Sequence, residues 1–254
     1  MKFGSLFAGI GGLDLGLERA GMSCAWQVEW DDYCQKVLAR HWPDTPRHGD
    51  ISEVGAENLE PVELICGGFP CQPVSQAGAR AGTDDERWLW PQFHRIICEL
   101  RPTWVVVENV PGLLSANSGR AMGEVLGDLA ASGYDAVWDI FPAGGPGGVG
   151  APHRRERVFI LAHADRGDVA DTSKSRQQGQ GLPENSSHQA EDGEGQTVDA
   201  FDGSIGDLWA VEPAVGRVAD GVPSRVDRLK CLGNAVVPQV AERIGRMIMQ
   251  QEQE

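Results

Sequence analysis

The segment 67–72, which reads Gly-Gly-Phe-Pro-Cys-Gln, contains the side chain best suited to nucleophilic chemistry. Its cysteine, Cys71, follows an apolar run at 62–66 that predicts a buried strand. Ligands of α/β sheets bind in the loops beyond the carboxyl ends of the strands, so this loop would display a thiol toward a ligand. The alternative is a packed core thiol, because free cysteine is among the most buried residue types.

A carboxylate and a basic cluster could complete such a site. Glu108 ends a β-branched strand at 104–107, where desolvation would raise its pKa and let it hold a proton against a ring nitrogen. A solvated strand-end carboxylate is the plainer interpretation. Arg155 and Arg157 lie in a basic cluster at 153–157, and by themselves they indicate phosphate contact or surface charge.

A glycine-rich loop at 7–12 lies between a predicted strand and a predicted helix, where glycines let the backbone approach a ligand at a helix N-terminus. Glu29 ends the second predicted strand, at about the spacing of an acid that binds a ribose hydroxyl. Asp50 ends the next strand and could contact an adenine amino group. In this order the three features predict a nucleotide-type cofactor site. The alternative is a tight turn with two solvated carboxylates.

The elements that must position these residues alternate between strand and helix, which predicts an α/β fold with a doubly wound, mostly parallel sheet. Predicted strands lie at 2–7, 25–29, about 49–51, 63–66, 104–107, 136–140 and 158–162. Predicted helices lie at 13–20, 32–41, 88–100, 120–131 and 236–249. The glycine-rich stretch 142–152 predicts a loop, and the polar stretch 164–204 predicts largely irregular structure.

The 254 residues suffice for one large α/β domain, and the formal charge of −15 excludes a sequence-blind polyanion binder while leaving room for a focused enzyme site. No apolar run approaches the roughly 20 residues of a membrane helix, and the first residues do not resemble a signal peptide. The six cysteines lack the spacing of a disulfide framework. No second close Cys or His pair completes a metal site with Cys66 and Cys71, so we expect no metal. The cysteine spacing and the apolar runs lead us to expect a cytoplasmic location and no membrane association.

Five motifs stand in the order of the cytosine-5 DNA methyltransferase family, which the chain resembles over nearly all of its length except about 165–206. They are the segments 7–12, 67–72, 108–110, 155–157 and 233–238. The run from Gly216 onward is most similar to compact phage- and prophage-type members. The resemblance implies a Rossmann-like, S-adenosylmethionine-dependent methyltransferase acting on a cytosine flipped out of double-stranded DNA.

The resemblance also implies roles for individual residues. The Cys71 thiolate attacks C6 of cytosine while Glu108 acts at N3, which is covalent catalysis. Arg157, and secondarily Arg155, hold the flipped base and order the nucleophile loop. His153 replaces the family's glutamine, and Asn109 fixes the cysteine loop.

For S-adenosylmethionine, the resemblance implies that Trp30 stacks on adenine and that Glu29 binds the ribose. Leu89 is the most loosely matched position of the set. The implied cofactor residues are Phe7, Gly9, Gly11, Glu29, Trp30, Asp50, Ile51, Pro70, Leu89, Asn234 and Val236.

The same resemblance divides the chain into a catalytic part at 1–163, a short target-recognition segment at 164–216 and a C-terminal segment at 217–254 that returns to the catalytic part. Residues 165–202 hold nine acidic and three basic side chains, a composition unsuited to phosphate binding. We therefore expect DNA contacts from 144–150, 153–157 and 217–230, with short or relaxed specificity. Alternatives are a tRNA-methylating enzyme of the same fold and a noncatalytic nucleic-acid-binding relic. A monomer is expected.

Overall fold

The computed structural model describes residues 1–70, 88–164 and 224–253. Within these ranges seven strands form one sheet in the order β3-β2-β1-β4-β5-β7-β6. The strands are β1 (Lys2–Leu6), β2 (Ser23–Val28), β3 (Arg47–His48), β4 (Leu64–Gly67), β5 (Trp104–Asn109), β6 (Tyr134–Pro142) and β7 (Glu156–Ala164).

Six α-helices accompany this sheet in the described ranges. They are α1 (Gly12–Arg19), α2 (Asp32–His41), α3 (Trp90–Leu100), α4 (Arg120–Ala131), α5 (Arg225–Asn234) and α6 (Pro238–Gln251). Short 3₁₀ turns lie at Ile51–Glu53, Pro111–Leu114 and Ala116–Gly119. None of the helices in these ranges has the length and apolar character needed to cross a membrane.

The strands β3, β2, β1, β4 and β5 are parallel, whereas β7 pairs antiparallel with β5 and β6 pairs antiparallel with β7. The strand order reverses between β1 and β4, which is where α/β sheets open a crevice for ligands. The carboxyl ends of β1, β2, β4 and β5 therefore lie along one edge of the sheet. The prediction of a doubly wound, mostly parallel α/β sheet is confirmed.

The central strands β4 and β5 are buried on both faces, as the β-branched run in β5 predicts, whereas the edge strand β6 is largely exposed. Successive residues of one strand face opposite sides: Val105 packs in the core cluster that contains Phe93 of α3, and Val106 packs in the cluster that contains Ile244 of α6. All four side chains are fully buried. Burying each of them stabilises the fold by about 1.5–3 kcal/mol.

Three local features of the structure differ from what the sequence predicted. The strand expected at about 49–51 is a two-residue strand at Arg47–His48, followed by the 3₁₀ turn that Asp50 caps. The last helix begins at Pro238 and not at residue 236, because proline fits the first turn of a helix. The helix α5 was not predicted. The predictions for Cys71, for 164–216 and for the first part of the C-terminal segment, 217–223, lie outside the described residues, apart from Ala164 at the end of β7.

Candidate active site

A buried ion pair lies at the carboxyl end of β5. Glu108 is opposite Phe159 in the antiparallel pairing with β7, so Arg157, two residues before Phe159, shares its face of the sheet. The Arg157 Nε lies 2.9 Å from Glu108 Oε1, and Glu108 is 8% exposed. Burial raises the pKa of Glu108 to about 7, although the charges of Arg157 and Arg155 act in the opposite direction. The site therefore holds a carboxyl group that can carry a proton near neutral pH.

Two glycines bring the beginning of the cysteine loop close to this carboxyl group. A Cβ on Gly68 would lie 2.4 Å from Glu108 Oε2, and a Cβ on Gly67 would lie 2.4 Å from the Leu6 carbonyl oxygen. A side chain at Gly67 would push the loop away from β1, and one at Gly68 would displace either the loop or the Glu108 carboxylate. The sequence pattern indicated a loop beyond a strand here, and the structure adds that these glycines permit close approach to the carboxylate.

Asn109 ties the same loop to the end of β5. Its side-chain Nδ2 donates a 3.2 Å hydrogen bond to the Phe69 carbonyl, and its Oδ1 accepts one from the Val110 backbone N–H. The Phe69 ring packs edge-on against Trp88, with the ring centroids 5.1 Å apart. The chain entering the Pro70-Cys71 sequence is therefore held by a buried amide and an aromatic contact. Cys71 itself lies outside the described residues.

Arg155 does not share the contact of Arg157. Its guanidinium donates to the carbonyl oxygens of Gly233 and Ala235, the first at 2.8 Å. These carbonyls flank Asn234, so Arg155 holds the backbone on both sides of a predicted cofactor residue by hydrogen bonds. Its buried Nε has no hydrogen-bond partner among the described residues. The paired role that the resemblance implies for the two arginines stays a prediction, whereas their described contacts are different.

The predicted cofactor acid, Glu29, directly follows β2 and joins two loops. Its Oε2 accepts a 2.7 Å hydrogen bond from the Gly9 N–H, and its Oε1 accepts one of 2.7 Å from the Asp31 N–H. Burial raises the pKa of Glu29, and these two hydrogen bonds oppose the rise. Gly9 and Gly11 adopt left-handed φ angles of 57° and 82°, which glycine accepts without steric cost.

The surroundings of Glu29 leave space for a flat ligand. The Trp30 side chain is 75% exposed, and a Cβ placed on Gly9 would meet nothing within 4 Å. Ile51 is buried next to Asp50, whose carboxylate accepts 2.8 Å hydrogen bonds from the Ser52 N–H and hydroxyl. These bonds lower the pKa of Asp50, so it remains an ionised acceptor.

The remaining predicted cofactor residues occupy several elements. Phe7 stacks on Phe93, with ring centroids 6.2 Å apart, while Pro70 and Leu89 are half-buried on either side of the undescribed cysteine loop. Asn234 ends α5, and Val236 approaches the start of α1 so closely that a Cβ on Gly12 would lie 2.4 Å from its carbonyl oxygen.

A cavity of about 710 Å³ borders this region. Its lining includes Gly11 and Val236 from the predicted cofactor set, together with His41, His153 and Arg155. Glu29 and Trp30 do not line it. The cavity therefore lies beside the open space at Gly9 and Trp30 and does not coincide with it.

Comparisons with known proteins place the chain in a family. A family model described as C-5 cytosine-specific DNA methylase matches residues 1–207. The Type II methyltransferase M.DsaV of Dactylococcopsis salina is 35% identical over 167 residues, which are 65% of this chain and 46% of that protein. M.AquIA of Picosynechococcus sp. is 36% identical over 180 residues, covering 64% of this chain and 71% of its own length.

A solved structure has a similar fold. It is described as a DNA modification methyltransferase encoded within a prophage of E. coli, with a TM-score of 0.55 and 29% identity. The match covers 65% of this chain and 47% of the solved chain. The chain thus spans less than half of this structure and of M.DsaV.

Proposed function

The chain belongs to the C-5 cytosine-specific DNA methylase family, and we propose that it transfers a methyl group from S-adenosylmethionine to C5 of cytosine in double-stranded DNA. The observation that carries the proposal is the buried Glu108–Arg157 pair, which lies against Gly68 and Phe69 of the segment that leads in sequence to Cys71. A protonatable carboxyl group beside a thiol loop suits the activation of a ring that is otherwise a poor electrophile.

The cofactor would lie along the carboxyl ends of β1 and β2. The exposed Trp30 ring offers a stacking surface for adenine, Glu29 is placed for the ribose, and the open space at Gly9 admits the ligand against the backbone. Asn234 and Val236 close the site from the C-terminal segment. S-adenosylmethionine supplies an electrophilic methyl group when bound.

The protein's own residues carry the remaining chemistry. The Cys71 thiolate adds to C6 of the base while Glu108 donates its proton to N3, so that the electron pair moves to C5 as an enamine. After C5 gains the methyl group, its proton is lost to a base, the C6–S bond breaks and Cys71 leaves as thiolate. N3 returns its proton to Glu108, which restores the ring and the acid. Arg157 fixes the Glu108 carboxyl and contacts the flipped base.

Access to the base requires that it leave the duplex, because C6 cannot be reached inside a base stack. We propose that the basic segments 153–157 and 217–230, with the glycine loop at 144–150, bind the DNA backbone. In this proposal residues 1–163 form the catalytic part, 164–216 form a short recognition segment, and 217–254 complete the catalytic part. The similarity to a prophage-encoded methyltransferase supports a phage-type methyltransferase.

Sequencing of DNA from cells that express the wild type or Cys71→Ala tests the activity. We expect methylated cytosines at defined sites only with the wild type. Identical unmethylated DNA from both strains would refute the proposal. Purified protein incubated with labelled S-adenosylmethionine and either duplex DNA or tRNA identifies the substrate, and label in tRNA alone would favour the RNA-methylating alternative.

A further inference from the structure

Two thiols from distant parts of the chain meet beside the proposed cofactor acid. Cys34 lies in the first turns of α2 and Cys231 lies in α5, and their Sγ atoms are 3.3 Å apart across 197 positions of sequence. Both are free and buried. The sulfurs need to approach by only about 1.3 Å to reach the length of a disulfide bond. The proposed methyl transfer uses neither thiol.

The position of Cys231 makes this contact important for α5. Among the α5 side chains that the structure describes, Cys231 is the buried one, while Val226, Leu229 and Leu232 are 76%, 48% and 59% exposed. A neighbouring contact reinforces it, because Lys230 Nζ lies 2.8 Å from Asp31 Oδ2. The helix therefore meets the N-terminal half of the chain mainly around this pair of thiols.

We propose that Cys34 and Cys231 are an oxidation site, at which a two-electron oxidant such as hydrogen peroxide forms a reversible disulfide that locks α5 onto the loop containing Glu29 and Asp31. The Cys231 thiolate attacks a peroxide oxygen and gives a sulfenic acid and hydroxide. The Cys34 thiolate then attacks the Cys231 sulfur and expels a second hydroxide. With the two thiol protons, the hydroxides become two water molecules; the thiols are oxidised and peroxide is reduced.

Burial and the charges around the two thiols make their oxidation slow, and the oxidation becomes faster as pH rises. Burial raises the pKa of both thiols, and the carboxylates of Asp31 and Glu29 raise it further, while Lys230 lowers that of Cys231. Thiolate is the reactive form, so its scarcity limits the rate. The site would therefore respond to sustained oxidant exposure, and a dithiol reductant would reverse it.

The disulfide would act on the proposed cofactor site because α5 ends at Asn234, two residues before Val236. Fixing α5 to α2 holds these residues against the Glu29 loop. We expect slower release of S-adenosylmethionine from the oxidised protein. This effect rests on the proposed function, whereas formation of the disulfide does not.

The full-length Cys71→Ser protein, which lacks the proposed nucleophile, is the material for the test. It is treated with hydrogen peroxide, blocked with N-ethylmaleimide, digested and analysed by mass spectrometry. We expect one cross-linked peptide pair joining Cys34 to Cys231, lost on treatment with dithiothreitol, and a Tm rise of about 5–10 °C. Cys231→Ser should abolish both changes. The matched control Cys98→Ser, at an exposed thiol, should leave both unchanged.

Three results would overturn the proposal. The first is an absent Cys34–Cys231 pair in samples where Cys98 is oxidised, and the second is predominant pairing of either thiol with another cysteine. The third is stoichiometric zinc in the purified protein that blocks both thiols, since the Asp31, Cys34 and Cys231 donor atoms lie within 4.8 Å of one another. Should Cys231→Ser fail to fold, Cys34→Ala replaces it. A disulfide that forms in Cys71→Ser, together with a wild type that shows no methylation activity, would refute only the proposed function.

Discussion

Arg157 and Glu108 form an ion pair, with Nε 2.9 Å from Oε1, in a site where both side chains are largely shielded from water. Two effects oppose each other in this pair. Desolvation favours the neutral carboxyl group and the guanidinium favours the carboxylate, and desolvation is the larger, so the pKa rises to about 7. The pair can therefore hold a proton at neutral pH and also fix the direction in which the carboxyl group points.

Replacing Glu108 by glutamine removes the proton donor while keeping shape and hydrogen bonding. We expect kcat to fall by at least about 100-fold, the usual scale of general acid catalysis, with S-adenosylmethionine binding unchanged in calorimetry. In the wild type, Glu108 loses its proton as pH rises through about 7, so kcat should decline on the alkaline side. Glu108→Gln should lack that limb. Unimpaired turnover would contradict the assigned role.

Gly68→Ala tests the close approach of the cysteine loop to the carboxyl group. The new Cβ would lie 2.4 Å from Glu108 Oε2, so the loop or the carboxylate must move. We expect kcat to fall by about 100-fold, since small misplacements at a reacting centre cost that much. The matched control is Gly123→Ala in α4, where a Cβ meets nothing within 4 Å. Equal activities of the two variants would count against the geometry.

Arg155→Ala tests whether Arg155 and Arg157 have different roles. Its guanidinium holds the carbonyls on either side of Asn234, and hydrogen bonds to charged groups contribute about 1.5–3 kcal/mol. We expect S-adenosylmethionine binding to weaken about tenfold or more in calorimetry without DNA. Arg154→Ala, at a side chain that is 83% exposed, is the control. A variant with normal cofactor binding and defective DNA binding would instead support the base-holding role.

Trp30→Ala removes the proposed adenine platform from the surface. Because the ring is 75% exposed, its loss should leave the Tm nearly unchanged. Stacking of a base on an aromatic ring contributes about 1–3 kcal/mol, so the Kd for S-adenosylmethionine should rise about tenfold. Trp30→Phe should retain most of the affinity. Cofactor binding by Trp30→Ala at wild-type strength would exclude the stacking role.

Asp14→Asn tests a buried carboxyl group that the proposed chemistry does not use. Asp14 in α1 is fully buried, and desolvation raises its pKa to about 7 from an ordinary 3.8, although Gln27 donates a 3.2 Å hydrogen bond to it. As pH rises from about 4 to 7, the Asp14 carboxyl group ionises in the unfolded chain but stays protonated in the folded protein. The contribution of Asp14 to the free energy of unfolding is therefore lost over this range.

The variant with neutral asparagine should therefore gain on the order of 2–4 kcal/mol over the wild type at pH 8. Urea unfolding at pH 5 and pH 8 measures the difference between the two proteins. Asp135→Asn, at an exposed position on β6, serves as the control. A pH-independent difference between Asp14→Asn and the wild type would show that Asp14 does not titrate in this range.

Much of the fold followed from local patterns in the sequence. The β-branched run at Val105 predicted a strand buried on both faces, and the order of motifs predicted that Glu29 and Glu108 end strands at one edge of the sheet. The sequence offered Asp31 or Asp32 as the cap of α2, and the structure shows Asp31, whose carboxylate accepts hydrogen bonds from the N–H groups of the next turn. These features depend on residues near one another along the chain.

Long-range contacts were decided by the tertiary structure. Residue type and local charge do not separate Arg155 from Arg157, yet the first holds the backbone around Asn234 and the second pairs with Glu108. The contact of Cys34 with Cys231 depends in the same way on how α5 lies against α2. Spacing along one chain segment determines which side chains share an edge or a face, whereas packing between distant segments determines which of them touch and how far burial moves their pKa.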